Sequence, residues 1–226
     1  MTRPRALSAA LLATLLIAAF SAEIAAADIR GIPPRWRSSS SGGRTKEGWQ
    51  YSRLLLGGGV GWPTTFPSGW KPGLGWSAAE LFPIHRAWDV SLEVEMFEHR
   101  FDAAKLRRAG ATVSPIGEAT FFDLALGARL HGSEPGWRWF GSAAIALPDV
   151  SRPAVSYTDA GGAHTLEGSE IFAFDPGFVM AVGVEHFRAR GLGGAIEARM
   201  VVAPGRTKPT EILAALRAGL AIPLPY

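Results

Sequence analysis

The 226-residue chain contains no cysteine, so it can form no disulfide and has neither a thiol nucleophile nor a thiolate metal ligand. Lysine is scarce, and the four present are Lys46, Lys71, Lys105 and Lys208. The formal net charge of +3 provides no strong basic field for nucleic acids. Beyond the N-terminal region no apolar run approaches the roughly 20 residues of a membrane-spanning helix. If the rest of the chain enters a membrane, it must cross as strands.

The N-terminus has the three regions of a secretory signal peptide. Arg3 and Arg5 supply the positive charge, an apolar stretch follows over 7–22, and alanines at 25–27 form a small-residue cleavage site. We therefore predict export and cleavage after Ala27. The alternative is an N-terminal membrane anchor, which needs about 20 apolar residues and hence more than this stretch contains.

The segment 28–48 holds Pro33, Pro34 and a run of Ser and Gly, with almost nothing to bury. Its composition predicts a flexible lead-in. The remaining residues, 49–226, suffice for one sizeable core, and all-β barrels of this size usually form a single domain. The sequence thus divides into a signal peptide over 1–27, a lead-in and one domain.

From residue 49 onward, apolar residues recur at every second position. In the clearest case Leu92 and Val94 alternate with Ser91 and Glu93. Successive side chains of a strand point to opposite faces, so this period indicates strands with one apolar face. Eight segments have the pattern: 49–62, 74–82, 88–101, 118–130, 137–147, 178–185, 196–202 and 212–222. The second is the weakest, because Glu80 leaves its two faces ambiguous.

The connections between these segments alternate in length. Long connections over 63–73, 102–117, 148–168 and 203–210 alternate with short ones over 83–87, 131–136 and 187–191. Eight antiparallel strands with long loops at one end and short turns at the other are typical of bacterial transmembrane barrels. We therefore predict an all-β fold, an eight-stranded antiparallel up-and-down transmembrane barrel with its long loops outside the cell.

Two features favour a membrane barrel over a soluble barrel of the lipocalin kind, whose strands alternate in the same way. The lysines all fall outside the strand segments, whereas a water-facing surface normally carries charges of both signs. Aromatic residues gather near both ends of the segments, as in the two girdles of membrane barrels. They are Trp62, Trp70, Trp76, Phe121, Phe122, Phe172 and Phe174 near the outer ends, and Trp49, Trp88, Trp137 and Trp139 near the inner ends. A soluble periplasmic barrel that binds an apolar ligand is the alternative.

The C-terminus places Ile222 and Leu224 at alternate positions before the final aromatic residue, Tyr226. Together with the eight segments, this ending resembles the small eight-stranded outer-membrane barrels of the OmpA and OmpX kind. Pro223 and Pro225 depart from their pattern, because proline donates no strand hydrogen bond. The resemblance implies a protein of a Gram-negative-type outer membrane, in contact with lipid and lipopolysaccharide and recognised by the barrel-assembly machinery.

Most charged residues of the strands share the parity opposite to the bulky apolar residues. Because a charge removed from water needs a partner, we predict that eleven of them fill the lumen as structural ion pairs. They are Arg53, Asp89, Glu93, Glu95, Asp123, Arg129, Arg138, Glu185, Glu197, Arg199 and Arg217. An eight-stranded barrel is just wide enough for such side chains. The alternative is a narrow gated ion path in which Glu93 and Glu95 hold a cation.

Enzymes occur on this fold, and lipid A deacylases use a His-x-Ser arrangement in which the histidine activates the serine hydroxyl. His131, Gly132 and Ser133 have that spacing, but they fall in a short turn, away from the outer leaflet. The other histidines have no metal-ligand spacing. We therefore predict no catalytic residue, no metal site and no cofactor, with a lipid A-modifying hydrolase as the alternative.

Basic residues gather in the predicted outer loops, where Arg forks and Lys point charges could pair with lipopolysaccharide phosphates. They are Lys71, Arg100, Lys105, Arg107, Arg108, Arg206 and Lys208. Ordinary solvated loop charge explains them equally well. The sequence as a whole predicts a monomeric, non-catalytic barrel with a structural or surface-interaction role.

Overall fold

The computed structural model describes residues 52–67, 69–114, 116–132, 136–171, 175–187, 191–205 and 210–224. The predicted signal peptide over 1–27 and the lead-in over 28–48 lie outside these ranges. So do several residues singled out in the sequence: Trp49, Ser133, Phe172, Phe174, Arg206, Lys208, Pro225 and Tyr226. Within the described ranges, no helix is long and apolar enough to cross a membrane.

The described chain consists almost wholly of strands. In order, its elements are β1 (Arg53–Pro63), β2 (Gly73–His85), β3 (Trp88–His99), helix α1 (Ala104–Arg108), β4 (Thr112–Val113), β5 (Ala119–His131), β6 (Gly136–Arg152), β7 (Val155–Asp159), β8 (Gly162–Leu166), β9 (Ser169–Ile171), β10 (Gly177–Phe187), β11 (Gly193–Ala203) and β12 (Glu211–Pro223).

Eight of these strands form one closed antiparallel sheet. Strands β1, β2, β3, β5, β6, β10, β11 and β12 pair in that order, and β12 pairs back with β1. Closure leaves no exposed edge in this sheet. The predicted eight-stranded antiparallel barrel is therefore confirmed, with most strand limits within a few residues of the predicted ones. The largest difference is β6, which continues past residue 147 to Arg152.

The pairing register separates an apolar outer face from a lumen. In β10, Phe178 and Val182 are 60% and 65% exposed, whereas Val179 and Ala181 between them are buried. The register also settles the faces of β2, where Ser77 and Ala79 are buried on the lumen side.

Glu80 has the outward parity in β2. It lies opposite Leu54 of β1 and Leu92 of β3, which share the outer face. Glu80 is nevertheless buried, and so is Val94 of the neighbouring strand. A carboxylate therefore interrupts the apolar row of β2.

The long connections carry structure that the alternation in the sequence does not predict. Strands β4, β7 and β8 form a separate three-stranded sheet, and β9 adds a short pairing to the outer end of β6. Helix α1 lies between β3 and β4 in the chain. These elements stand at the end of the barrel that carries the long connections, here called the long-loop end; the opposite end is the short-turn end.

Candidate functional site

The lumen contains the eleven charged residues singled out in the sequence, all of them buried. They extend from the short-turn end to about the middle of the lumen, in two adjoining clusters. The first, the central cluster, consists of Glu93, Glu95, Asp123, Glu197, Arg199 and Arg217. The second, the mouth cluster, consists of Arg53, Asp89, Arg129, Arg138 and Glu185.

Arg199 organises one side of the central cluster. It lies on β11, and its guanidinium crosses the lumen to three carboxylates on β3 and β5. Its Nε donates to Glu95 Oε1 at 3.0 Å and its Nη2 to Asp123 Oδ1 at 3.2 Å, while its Nη1 contacts Glu93. The five N–H donors of a guanidinium suit this multiple contact.

Arg217 completes the central cluster from β12. Its Nη1 donates to Glu95 Oε2 at 2.8 Å, and its Nε donates to Glu197 Oε1 at 2.8 Å. Its Nη2 lies 3.4 Å from Glu93 Oε2. Glu93 and Glu95, the residues of the predicted alternative cation site, are thus each held by two guanidinium groups.

Glu185 is the centre of the mouth cluster. It accepts from Arg138 Nε at 2.6 Å, from Arg53 Nη1 at 3.3 Å and from Arg129 Nη1 at 3.3 Å. Arg53 also pairs with Asp89. One anion on β10 therefore joins three other strands, β1, β5 and β6, at the mouth of the lumen.

Arg129 links the two clusters. Besides Glu185, it reaches Glu197 through Nη2 at 3.3 Å, and its guanidinium lies 3.9 Å from the ring centroid of Phe140. Stacking on an aromatic face suits a guanidinium more than an ammonium group. The two clusters consequently form one continuous network.

His131 belongs to this network, although the sequence predicts it in the short turn over 131–136; β5 extends to this residue. Its Nε2 lies 3.2 Å from Asp89 Oδ2, its Nδ1 lies 2.9 Å from the carbonyl oxygen of Gly132, and the residue is 2% exposed. Its inward direction follows from parity with Arg129, a signal present in the sequence. The serine of the predicted His-x-Ser pair, Ser133, lies outside the described residues.

An apolar layer fills the lumen on the long-loop side of the charges. Phe97 is fully buried at its centre, and Gly61 and Gly75 leave room for its ring: a Cβ there would lie 2.8 Å and 2.4 Å from the Phe97 ring. Around it lie further buried residues: Phe121, Val179, Val201 and Leu213. Phe121 therefore belongs to the lumen, and its predicted place in the outer aromatic girdle is wrong.

Beside the charges of the central cluster lies a small cavity of about 10 Å³, bordered by Glu197, Arg217, Gly57 and Ser77. This is about the volume accessible to one water molecule. The described side chains thus plug the barrel instead of lining a channel.

A third group of polar contacts connects the elements outside the barrel to the barrel strands at the long-loop end. Arg152 Nη2 lies 3.1 Å from Glu211 Oε1, and Thr65 donates to Glu211 Oε2 at 2.6 Å. Arg152 Nη1 also donates to the carbonyl oxygen of Glu167 at 2.8 Å. The alternation in the sequence does not reveal this group, because residue 152 falls in the predicted loop over 148–168, whereas β6 extends to it.

Four of the seven predicted lipopolysaccharide contacts have described side chains, and two of them, Lys71 and Arg100, are neighbours, since the Lys71 N–H donates to the Arg100 carbonyl oxygen at 2.9 Å. The Arg100 side chain is 82% exposed and pairs with Glu118 at 3.0 Å, while Lys71 pairs with Asp102 at 2.9 Å. The Lys71 ammonium lowers the pKa of the Asp102 carboxyl through this hydrogen bond. Arg107 and Arg108 are exposed on or beside α1. The side chain of Lys105, with Arg206 and Lys208, lies outside the described part of the structure.

Comparison with known proteins gives a relationship of fold. No family model matches the chain, and no curated protein matches its sequence. The structure is similar to that of Neisserial surface protein A, NspA, with a TM-score of 0.50 and 11% identity over 77% of this chain and 96% of NspA. The N-terminal barrel domain of OprF from Pseudomonas aeruginosa gives a TM-score of 0.41 and 12% identity, over 76% of this chain and 98% of that domain.

The outer membrane enzyme PagL gives a TM-score of 0.39 and 9% identity, over 76% of this chain and 99% of PagL. At such identities the comparisons concern the fold alone. The chain has the eight-stranded barrel fold of small outer-membrane proteins, as the resemblance in the sequence implied.

Proposed function

We propose that the chain is a monomeric outer-membrane barrel with a closed lumen and no catalytic activity, which acts through the elements at its long-loop end. The observation that carries the proposal is the inverted distribution of polarity. Eleven charged residues of the barrel are buried in its lumen, whereas bulky apolar residues are exposed around the outside. Water would disfavour so large an apolar surface, while a bilayer stabilises it.

Exposed tryptophans support the placement in a membrane. Trp137 and Trp139 are 73% and 59% exposed near the short-turn end, and Trp62 and Trp76 are partly exposed near the long-loop end. Indole rings favour the two interfaces of a bilayer. The long-loop end would then face outside, in contact with lipopolysaccharide.

The filled lumen supports a non-conducting role. Each carboxylate of the central cluster accepts from at least one arginine, and the apolar layer around Phe97 lies beyond it. An ion entering from the short-turn end would have to displace these pairs and then cross an apolar seal. We therefore favour a plugged barrel over a narrow pore.

The position of His131 supports a non-catalytic role. Its ring faces the lumen and contacts Asp89, away from the outer apolar face where an acyl chain would lie. A general base must come within hydrogen-bond reach of the group that it activates. An acylated lipid would not reach this ring.

Lipopolysaccharide phosphates remain our proposed ligands for the basic residues near α1. Arg107 and Arg108 are exposed there and Arg100 lies nearby in the chain, so they can meet phosphate groups without desolvating a buried partner. Export with cleavage after Ala27 and insertion by the barrel-assembly machinery belong to the same proposal.

The first experiment is membrane fractionation with gel electrophoresis of boiled and unboiled samples. A closed membrane barrel resists detergent, so we expect outer-membrane partitioning and a shift in mobility on boiling. N-terminal sequencing of the mature protein tests the cleavage site. A soluble periplasmic protein without a heat shift would contradict the proposal.

Planar-bilayer conductance and lipid A analysis test the other two claims. We expect no channel openings above those of protein-free bilayers, and unchanged lipid A acylation when the protein is overproduced. Discrete openings would favour the pore, and a loss of acyl chains would favour the hydrolase. Overproduced His131→Gln is the matched control for the hydrolase.

A further inference from the structure

The small sheet at the long-loop end has an open edge. Its strand order is β4-β7-β8, so β8 has β7 as its one neighbour among the described strands. Gly162–Thr165 are exposed, and Leu166 is half-buried. Whereas the barrel has closed all its edges, this sheet leaves one available for pairing.

The register identifies the unpaired backbone groups. The Ser114 N–H donates to the Ser156 carbonyl oxygen at 3.1 Å, so the backbone of Ser156 faces β4. The backbone N–H and C=O groups of successive residues point to opposite sides of a strand. Those of Tyr157 therefore point toward β8 and pair with its register partner, His164. Ala163 and Thr165 of β8 consequently direct their N–H and C=O groups away from the sheet.

The edge is held in place before any partner binds. Val155 is buried beneath the hairpin, the rings of Tyr157 and His164 stack at 5.0 Å, and Arg152 bonds to the carbonyl oxygen of Glu167 just beyond β8. A strand that is already ordered loses little conformational entropy when a partner pairs with it. Strand β8 also lacks the proline or charged side chains with which proteins block open edges.

The hairpin that contains β8 is acidic. Residues 153–170 include Asp159, Glu167 and Glu170 but no lysine or arginine, and the neighbouring Arg152 is paired with Glu211. The Gly161 N–H and the His164 ring lower the pKa of the Asp159 carboxyl, which keeps this group ionised. An antiparallel second copy of β8 would bring like charges together, whereas a basic chain would meet complementary charge.

We propose that β8 is a docking edge for an extended basic segment of a partner protein, which pairs with Ala163 and Thr165 as a fourth strand. Addition of a strand to a sheet edge is a general mode of peptide recognition, in which backbone hydrogen bonds supply affinity and side chains supply selectivity. The inference deepens the proposed function, since the partner must reach the long-loop end from outside the cell.

The test uses a fluorescein-labelled peptide of alternating lysine and threonine, titrated with the full-length protein in detergent micelles and followed by fluorescence anisotropy. Thr165→Pro removes an outward N–H that makes no bond within the sheet, so we expect binding about tenfold weaker. Thr165→Ala keeps that N–H and is the matched control, with binding unchanged.

Two further peptides test the mechanism on the unaltered protein, independently of any folding defect in a variant. Methylation of alternate backbone nitrogens abolishes strand pairing but keeps the charge, and glutamate in place of lysine reverses the charge. We expect neither peptide to bind. Equal binding of the methylated peptide, equal binding to Thr165→Pro, or no binding of the lysine peptide would each overturn the proposal. A concentration-dependent dimer that Thr165→Pro abolishes would overturn it in favour of a second copy.

These measurements are separable from those on the proposed function. The heat shift and the membrane partitioning depend on the barrel, and we expect Thr165→Pro to retain both. A protein with a normal heat shift that ignores the peptide would contradict only the docking edge.

Discussion

The two halves of the lumen fill the same barrel by opposite means. Near the short-turn end, guanidinium and carboxylate groups are joined in a network that spans the barrel, as Arg199 shows by reaching Glu93 and Asp123. Nearer the long-loop end, rings and aliphatic chains pack around Phe97. Both halves are filled by side chains, but only the charged half specifies which group pairs with which.

This difference concerns specificity more than net stability. A buried ion pair gains little over a well-packed apolar pair, because desolvation offsets the attraction, yet loss of one partner is strongly destabilising. An apolar layer tolerates changes of similar volume. We infer that the charged half fixes the relative register of opposite strands, while the apolar half mainly seals the lumen.

The largest predicted effect is in the charged half. Arg199→Met would leave Glu93, Glu95 and Asp123 with less positive charge, and we expect the free energy of unfolding to fall by about 5 kcal/mol, the upper end for a broken buried pair. Urea unfolding in lipid vesicles, followed by tryptophan fluorescence, measures this. Glu95→Gln is the control, because it leaves every arginine with another acceptor; an equal loss in both variants would contradict the assignment.

The apolar half should respond less strongly. Phe97→Ala creates a cavity, and we expect a loss of about 4 kcal/mol, since Gly61 and Gly75 have no side chains to fill it. The same unfolding measurement applies. Phe97→Leu retains most of the volume and should lose clearly less; equal losses would show that ring volume is not what seals the lumen.

His131 tests the boundary of the charged network. His131→Gln keeps a polar group near Asp89 but removes the hydrogen bond between the ring Nδ1 and the Gly132 carbonyl oxygen, and we expect a loss of about 1 kcal/mol, the net contribution of one hydrogen bond. Urea unfolding and lipid A analysis of the same variant are the measurements. A stability change with altered lipid A acylation would favour the catalytic interpretation over the structural one.

The smallest effect is expected at the exposed pair of Lys71 and Asp102. Because the pKa of Asp102 is lowered in the folded state, its stabilisation is present at neutral pH and is lost as the pH falls through that lowered value. Solvent screens this pair, so the change in melting temperature should be small and should shrink further in high salt. Lys71→Met should reduce this pH dependence, while the hydrogen bond from the Ala104 N–H to Asp102 retains part of it; an undiminished acid transition in the variant would assign it to other groups.

The eight barrel strands were predictable because the residues of each strand face lipid and lumen in turn. Bulky apolar residues therefore recur at every second position of the sequence. The lumen charges followed from the same parity, although their partners did not: Arg199 and Asp123 are distant in the chain and meet only across the closed barrel. No local pattern encodes which opposite strands face each other. Register and closure together determine those pairs.

The outer elements were missed for a different reason. Strands β7 and β8 have no lipid on either side, so Ser156, Thr158 and Thr165 show no strong alternation. The prediction for Phe121 is wrong because the girdle is predicted from closeness to the strand end, whereas the parity of Phe121, opposite to that of Phe122, directs its ring into the lumen. Periodicity is informative only where the two faces of a strand meet different surroundings.

Closure by β1 and β12 has a consequence for how the chain reaches its native state. The first and last barrel strands are direct partners, with Leu54 opposite Ile222. Such pairing joins the most distant parts of the domain, gives the fold a high contact order and slows its formation. A chain that lacks either β1 or β12 keeps two unpaired edge strands, so its sheet cannot close into a barrel. The barrel therefore closes in one cooperative step, which requires all eight strands and is completed when β12 pairs with β1.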